Sequence, residues 1–293
     1  MTRESVFEKK VQALRSILGS LDAAIVSFSG GVDSAYLLAE AVSVLGSRAW
    51  AFTADSPSLP RAELAAARKL AMDLGVATHR VGATHELDLP AYTKNASDRC
   101  YVCKQEMMRH AVAAAAILAR QITATKVAGT TECEVTILVG TNVDDLGGHL
   151  PGLKAVKEAG ARMPLVEAGL TKADIRRRSA DLGLPTADKP ELACLASRLP
   201  TGTEITAARL ARVEAFEGGL AALGFRGFRV RFHEPIARIE LAPQDLARAI
   251  EPGCREAIVA LGKGLGFRFV TLDLAGYRRG SLSDELMGDE AKA

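Results

Sequence analysis

Long hydrophobic runs are missing from this sequence. The longest unbroken apolar stretch is Ala111 to Ala119, nine residues, whereas a helix that crosses a bilayer needs about 20. No membrane span is expected. The opening residues Met1, Thr2, Arg3 and Glu4 hold no apolar core of a secretory signal, so a cytoplasmic location is expected. Asn95-Ala96-Ser97 matches a glycosylation sequon, which without secretion is a coincidence. An excess of one charge is missing too. The 37 basic and 35 acidic residues leave a net +2, which gives no reason to expect a dedicated nucleic-acid binder. Cysteine is sparse. Five cysteines in a cytosolic chain point away from a disulfide framework and toward metal binding or thiol chemistry. The five histidines (His79, His85, His110, His149, His233) show no ligand spacing. There is no internal repeat and no low-complexity tract.

What is present is an alternation of strand and helix patterns. Apolar residues make up 48% of the chain and charged residues 25%, as in ordinary folded proteins, and the length predicts about two domains. Phe7, Val11, Leu14 and Leu18 recur at helical spacing. Strands are predicted at Ala23–Phe28, Arg48–Ala54, Val76–Val81 and Val135–Val139. Between them lie helical patterns at Ser34–Gly46, Arg61–Leu74 (stopped by Gly75) and Lys104–Arg120. That order predicts an α/β fold, a doubly wound parallel sheet. Thr171 and Asp174 form a capping-box pattern before a helix ending at Leu182. A helix from Thr206 to about Leu223 follows, with strands at Arg229–Phe232, Ala237–Leu241 and Phe267–Leu272 and helices at Pro243–Ile250 and Gly253–Leu261. These make a second, smaller α+β domain. The expected division is 1–184, an inter-domain loop 185–203 carrying Cys194, and 204–287.

Ser29-Gly30-Gly31-Val32-Asp33-Ser34 lies between the first strand and its helix. Two glycines let the backbone approach an anion, and backbone N–H groups at the helix start then face it. Open α/β sheets bind ligands at this carboxyl end of their strands. The loop is not a Walker A loop, because no lysine follows the glycines, and it is not GxGxxG. Gly262, Gly264 and Gly266 form a second glycine cluster with no strand before it, and they are expected to form a turn. Arg229 and Arg231 alternate on one strand and so share a face. Two guanidiniums there suit a phosphate, with a solvated face as the alternative. Arg238 and Glu240 share a face as well and suit an ion pair. Asp144 and Asp145 end the fourth strand, where one would contact Mg²⁺ or cap a helix. Cys100 and Cys103 form a CxxC pair expected on one short turn. Its readings are iron–sulfur ligands, a zinc half-site, a redox dithiol or buried thiols. Cys133 and Cys254 lack motif context.

The hexapeptide 29–34 resembles the PP-loop of the N-type ATP pyrophosphatases. That resemblance implies ATP cleaved between its α and β phosphates, with Ser29, Gly30, Gly31, Val32, Asp33 and Ser34 on the nucleotide and Asp33 on Mg²⁺. Further segments narrow it: Thr53-Ala54-Asp55-Ser56-Pro57-Ser58-Leu59-Pro60, Arg99-Cys100-Tyr101-Val102-Cys103-Lys104, Gly140-Thr141-Asn142-Val143-Asp144-Asp145, and Cys194-Leu195-Ala196-Ser197-Arg198. Together with the strands around Arg229 and Arg238 they resemble the LarE family of sulfur transferases over about residues 5–282. Two stretches depart from the pattern. His149-Leu150-Pro151-Gly152 stands where Tyr-Arg-Pro-Gly is usual, and Thr201 stands where a Tyr is usual.

The resemblance implies adenylation of pyridinium-3,5-biscarboxylic acid mononucleotide and replacement of oxygen by sulfur, twice, for a nickel-pincer cofactor. It places Thr53 and Asp55 at the nucleotide, Arg229 and Arg231 on the substrate phosphate, Asp144 with Asp33 on magnesium, and Cys194 at the sulfur-transfer step, with Arg198 beside it expected to hold the acceptor or the leaving AMP. The family uses two sulfur sources. One is a single-use cysteine. The other is a [4Fe–4S] cluster on three cysteines that carries an extra sulfide, and Cys100, Cys103 and Cys194 match this second type. A sulfide donor and a homo-oligomer are implied as partners. An ammonia-dependent amidoligase, a tRNA thiolase and an ATP-sensing module are the competing functions. The first and last leave the thiols without a role, and the near-neutral charge disfavours the tRNA enzyme.

Overall fold

A computed structural model of the chain describes residues 3–125, 133–147, 151–190 and 193–277. The chain forms two compact units that are not contiguous in sequence. One comprises residues 1–86 and 98–192, the other 87–97 and 193–293.

The larger unit is an α/β layer structure. Its elements are α1 (Arg3–Gly19), β1 (Ala23–Ser27), α2 (Val32–Leu45), β2 (Ala49–Asp55), α3 (Arg61–Asp73) and β3 (His79–Ala83). After the segment belonging to the other unit, which contains α4 (Pro90–Thr93), come α5 (Arg99–Thr125), β4 (Val135–Val139), α6 (Pro151–Glu158), α7 (Pro164–Glu167) and α8 (Lys172–Asp181). The four strands are parallel in the order β3-β2-β1-β4. β1 is central, and its sequence AAIVS carries no polar alternation because both faces are covered. Ala24 and Val26 join the core formed with α1, α2, α3, α7 and α8. Ala23 and Ile25 join the core formed with α5 and α6. All four are fully buried. Burial on both sides fixes β1, and with it the loop that follows.

The predicted strands are all present, with shifts at their ends. β3 begins at His79 rather than Val76. The capping box on α8 is formed: Thr171 Oγ1 accepts from the Asp174 backbone N at 3.2 Å, and the Asp174 carboxylate accepts from the Thr171 N at 3.1 Å. The larger change is in α5, which starts at Arg99 rather than Lys104. The Asp98 carbonyl accepts from the Tyr101 and Val102 nitrogens and starts the helix there. Cys100 and Cys103 are therefore on the first turn of a long helix and not on a separate turn.

The smaller unit contains α4, a 3₁₀ turn at Leu195–Arg198, α9 (Ala207–Ala222), β5 (Arg229–His233), β6 (Ile236–Glu240), α10 (Leu246–Ile250), α11 (Pro252–Gly264) and β7 (Phe269–Leu272). β6 is central, antiparallel to β5 and parallel to β7. Asn95 joins the two segments of this unit. Its side chain is fully buried, and Nδ2 donates to the carbonyls of Pro200 (2.8 Å) and Thr203 (2.9 Å), so the sequon amide is committed inside the protein. The second glycine cluster is not one turn. Gly262 and Gly264 lie inside α11, and only Gly266 takes a left-handed φ, of 83°. A Cβ on Gly262 would come within 2.4 Å of Val270 Cγ2 and 2.8 Å of Phe216 Cε1. That glycine serves close packing of α11. Among the described residues, no helix is long and apolar enough to cross a membrane. His149 and Leu150 lie outside the described residues.

Gly140 ends β4 beside the start of α2. A Cβ there would stand 2.9 Å from the Ser34 nitrogen and 3.0 Å from Ser34 Cα. Gly140→Ala is therefore expected to cost about 1–3 kcal/mol, as overpacking against backbone does. Gly147→Ala, with nothing within 4 Å of its Cβ, should stay within about 0.5 kcal/mol. Equilibrium denaturation compares the two, and equal stabilities would contradict the close approach.

Candidate functional site

The loop 29–34 sits at the carboxyl end of β1. Gly30 has φ 73° and would place a Cβ 3.0 Å from Ala67 Cβ, so conformation and space both call for glycine. Gly31 is the N-cap of α2 and carries no side-chain cap, which leaves the helix's first N–H groups to a ligand. The serines close the loop on itself. Ser34 Oγ lies 3.1 Å from Ser29 Oγ and accepts from the Ser29 N at 3.2 Å, and Ser29 Oγ accepts from the Gly31 N at 3.3 Å. Val32 is buried, facing the core.

Acidic groups gather at the same sheet edge. Asp33 Oδ1 accepts from Asn142 Nδ2 at 3.3 Å, and its Oδ2 pairs with Lys172 Nζ. Asp144 Oδ2 accepts from the Lys172 backbone N at 2.8 Å. Both carboxylates thus converge on Lys172 at the start of α8. Oxygen donors of this kind suit Mg²⁺, and the helix-capping role of Asp144 is present as well. Asp55 pairs with Arg61. Thr53 is buried. Its hydroxyl donates to the Phe28 carbonyl at 2.6 Å, and with that one proton used it accepts from His79 Nε2 at 2.8 Å. Burial lowers the His79 pKa, with Arg68 adding to the shift, which favours the neutral ring. Thr53 braces β1 against β2 from beneath the loop.

The smaller unit brings the other predicted residues together. Cys194 is half-buried and precedes the 3₁₀ turn. Its carbonyl accepts from the Ser197 N (3.0 Å), Ser197 Oγ (2.7 Å) and Arg198 Nη1 (3.1 Å). Arg198 is buried and uses every nitrogen. Nε and Nη2 form a bidentate pair with Glu217 at 2.9 Å each, and Nη1 also reaches the Ala193 carbonyl at 2.9 Å. Glu217 Oε1 accepts from the Val230 N at 3.0 Å, which ties the turn to β5. Arg231 is buried in a bidentate pair with Glu240 at 2.9 Å, and it donates to the Ser197 carbonyl at 2.9 Å. Arg229 lies over the Tyr277 ring at 4.8 Å. Burial pushes its pKa down, and the nearby charge of Arg198 does so next. Three guanidiniums therefore share one neighbourhood beside the Cys194 turn. Arg238 and Glu240 form an ion pair at 3.4 Å as neighbours on β6, and Arg238 also pairs with Asp273 at 2.9 Å.

Cys100 is exposed and Cys103 half-buried, one helical turn apart on α5, and none of the five cysteines is in a disulfide. Cys133 is buried and Cys254 half-buried. Among the described residues, no three His, Cys, Asp or Glu side chains are grouped to hold a metal ion. Sequence reasoning gave no role to Lys172, Asn142, Lys189 or Glu217, because each owes its place to a partner elsewhere in the chain, 19 residues away for Glu217 and more than 100 for the others.

A parallel sheet with a glycine loop and an uncapped helix start at the carboxyl end of β1 defines a phosphate-binding α/β protein. No family model matches the chain. It is 34% identical over 279 residues to the pyridinium-3,5-bisthiocarboxylic acid mononucleotide synthase of Lactiplantibacillus plantarum, covering 94% of this chain and 95% of that one. It is also 39% identical over 278 residues to an uncharacterised protein of Synechocystis sp., covering 95% and 98%. An uncharacterised protein of Methanocaldococcus jannaschii is 29% identical over 63% of this chain and 66% of its own. The chain belongs to the family of the synthase, the LarE family.

Removing Arg198 would leave the Glu217 carboxylate, 11% exposed, without its cationic partner. Arg198→Met should therefore lose about 3–5 kcal/mol of unfolding free energy, the usual cost of breaking a buried pair from one side. Adding Glu217→Leu should recover part of it. Denaturant titration measures both, and an Arg198→Met protein as stable as the wild type would contradict this clamp.

Proposed function

We propose that the chain adenylates a carboxylate of pyridinium-3,5-biscarboxylic acid mononucleotide and exchanges the activated oxygen for sulfur, twice, in nickel-pincer cofactor biosynthesis. Membership of the LarE family makes it an ATP-dependent sulfur-transferring enzyme. One observation carries the reading: the anion-binding loop stands at the carboxyl end of β1 in a chain 34% identical to the synthase over 94% of its length.

The carboxylate oxygen attacks the α phosphorus of ATP, and the bond to pyrophosphate breaks. Loop N–H groups and the start of α2 hold the departing phosphates, which leaves the α phosphorus open to attack. Asp33 and Asp144 would hold Mg²⁺, which supplies charge neutralisation on the leaving group. Sulfur then attacks the acyl carbon, and AMP leaves with the oxygen. We assign Arg229 and Arg231 to the mononucleotide phosphate, Arg229 as the contact and Arg231 as the positive charge behind it, since its nitrogens are engaged by Glu240 and Ser197. An anion there offsets the mutual repulsion of Arg198, Arg229 and Arg231. Arg198 acts through Cys194 as a positioning residue, because its donors are committed to Glu217 and the turn.

We assign the sulfur source to Cys100, Cys103 and Cys194. Three thiols outside any disulfide, two of them one helical turn apart, suit an iron–sulfur cluster as a donor set. These three cysteines would hold a [4Fe–4S] cluster, which would supply external sulfide. The competing source is the sulfur of Cys194 itself. A sulfide donor and a homo-oligomeric assembly belong to the same proposal.

Anaerobic protein reconstituted with iron and sulfide, then given ATP, Mg²⁺ and the biscarboxylate mononucleotide, tests the reading. Pyrophosphate release with sulfur incorporation supports it. Release only on addition of ammonia or tRNA refutes it. Cys194→Ala should lose sulfur transfer and keep pyrophosphate release. Cys100→Ala and Cys103→Ala should each bleach the brown chromophore, and unchanged colour would leave Cys194 as the donor.

A further inference from the structure

The loop of residues 29–34 holds no lysine, yet two lysines from distant segments of the same unit reach it. Lys172 Nζ pairs with Asp33 Oδ2. Lys189 Nζ donates to the Gly30 carbonyl at 3.0 Å and to Glu63 Oε2 at 2.6 Å. Each lysine side chain keeps 20% of its surface exposed, so neither is sealed inside the protein.

One helix arranges the pair. Lys172 is the first residue of α8, whose start is fixed by the Thr171–Asp174 capping box and by Lys10, which donates to Asp174 at 2.7 Å. One turn on, Arg176 donates to the carbonyls of Ala187 (2.6 Å) and Lys189 (2.9 Å). The backbone that carries Lys189 is thereby tied to the same helix.

A purely structural role explains this poorly. Partly exposed ion pairs contribute little to the stability of a fold, and Lys189 spends one bond on a carbonyl that a neutral donor would satisfy. A triphosphate, by contrast, brings several negative charges to a cradle whose backbone dipoles supply only partial positive charge. An ammonium has three rotatable donors and binds phosphate as a point charge. It can turn from a carboxylate to a phosphate oxygen within the same small volume.

We propose that Lys172 and Lys189 are the phosphate-binding cations of this loop. They rest on Asp33, Glu63 and the Gly30 carbonyl without nucleotide, and they turn onto the departing pyrophosphate when ATP is bound. The exchange also releases Asp33 for the metal. This inference rests on the reading of the loop as an ATP site.

Calorimetric titration of the full chain with ATP, inorganic pyrophosphate and AMP, each with Mg²⁺, tests it. Lys172→Ala and Lys189→Ala should each weaken ATP and pyrophosphate by about tenfold or more and AMP by less than about threefold, as expected for loss of a charge-assisted contact. The Lys→Arg variants should regain most of the loss. Equal weakening of AMP and ATP would mean that the lysines only support the loop, and unchanged ATP and pyrophosphate binding would remove them from the site; either outcome overturns the assignment. A wild-type protein that binds neither ATP nor pyrophosphate overturns the nucleotide reading itself.

Discussion

Backbone N–H groups can hold an anion only where no side chain stands between them and it. That constraint explains the placement of Gly30, Gly31 and Gly140 around the start of α2. Gly30 adopts a left-handed conformation beside Ala67, and Gly140 brings the end of β4 against Ser34. The loop keeps this shape because β1 is buried on both faces and because Thr53 ties β1 to β2. Anion-binding geometry here is a by-product of core packing: the apolar residues of β1 position the loop without touching a ligand.

The smaller unit solves a different problem with charge. Its buried arginines are saturated with partners, Arg198 by Glu217 and the Cys194 turn, Arg231 by Glu240 and Ser197. Buried ion pairs contribute little net stability once desolvation is counted, and their geometry is what they fix. Here they fix the backbone around a half-buried thiol. The carbonyl of Cys194 accepts three hydrogen bonds from within the turn, and Arg231 ties that turn to β5 by donating to the Ser197 carbonyl. The glycine loop and the thiol thus rest on two units with separate means of support.

The four strands and the helices α1, α2, α3 and α8 of the larger unit were legible because each apolar run is bounded by a glycine, a proline or a charged stretch, whereas the short helices α6 and α7 were not anticipated. The capping box at Thr171 was legible for the same local reason. The true start of α5 was not: Asp98 begins that helix through its backbone carbonyl, which no side chain advertises. Gly262 read as a turn residue because glycine signals both turns and close packing, and only the neighbouring Phe216 and Val270 separate the two. The ion pairs were least legible. Lys172 meets Asp33 across 139 residues and Lys189 meets Gly30 across 159, and nothing local to either lysine marks it. The loop could be found from its hexapeptide, whereas the cations beside it required the fold.

On this account the chain spends the energy of ATP to turn a carboxylate oxygen into part of a leaving group. The most direct measurement follows that oxygen. Substrate labelled with heavy oxygen in its carboxylates is converted anaerobically with ATP and a sulfide source, and the AMP produced is weighed. The account predicts one labelled oxygen in AMP for each sulfur inserted, with unlabelled pyrophosphate. Unlabelled AMP, or ADP formed in its place, would contradict it.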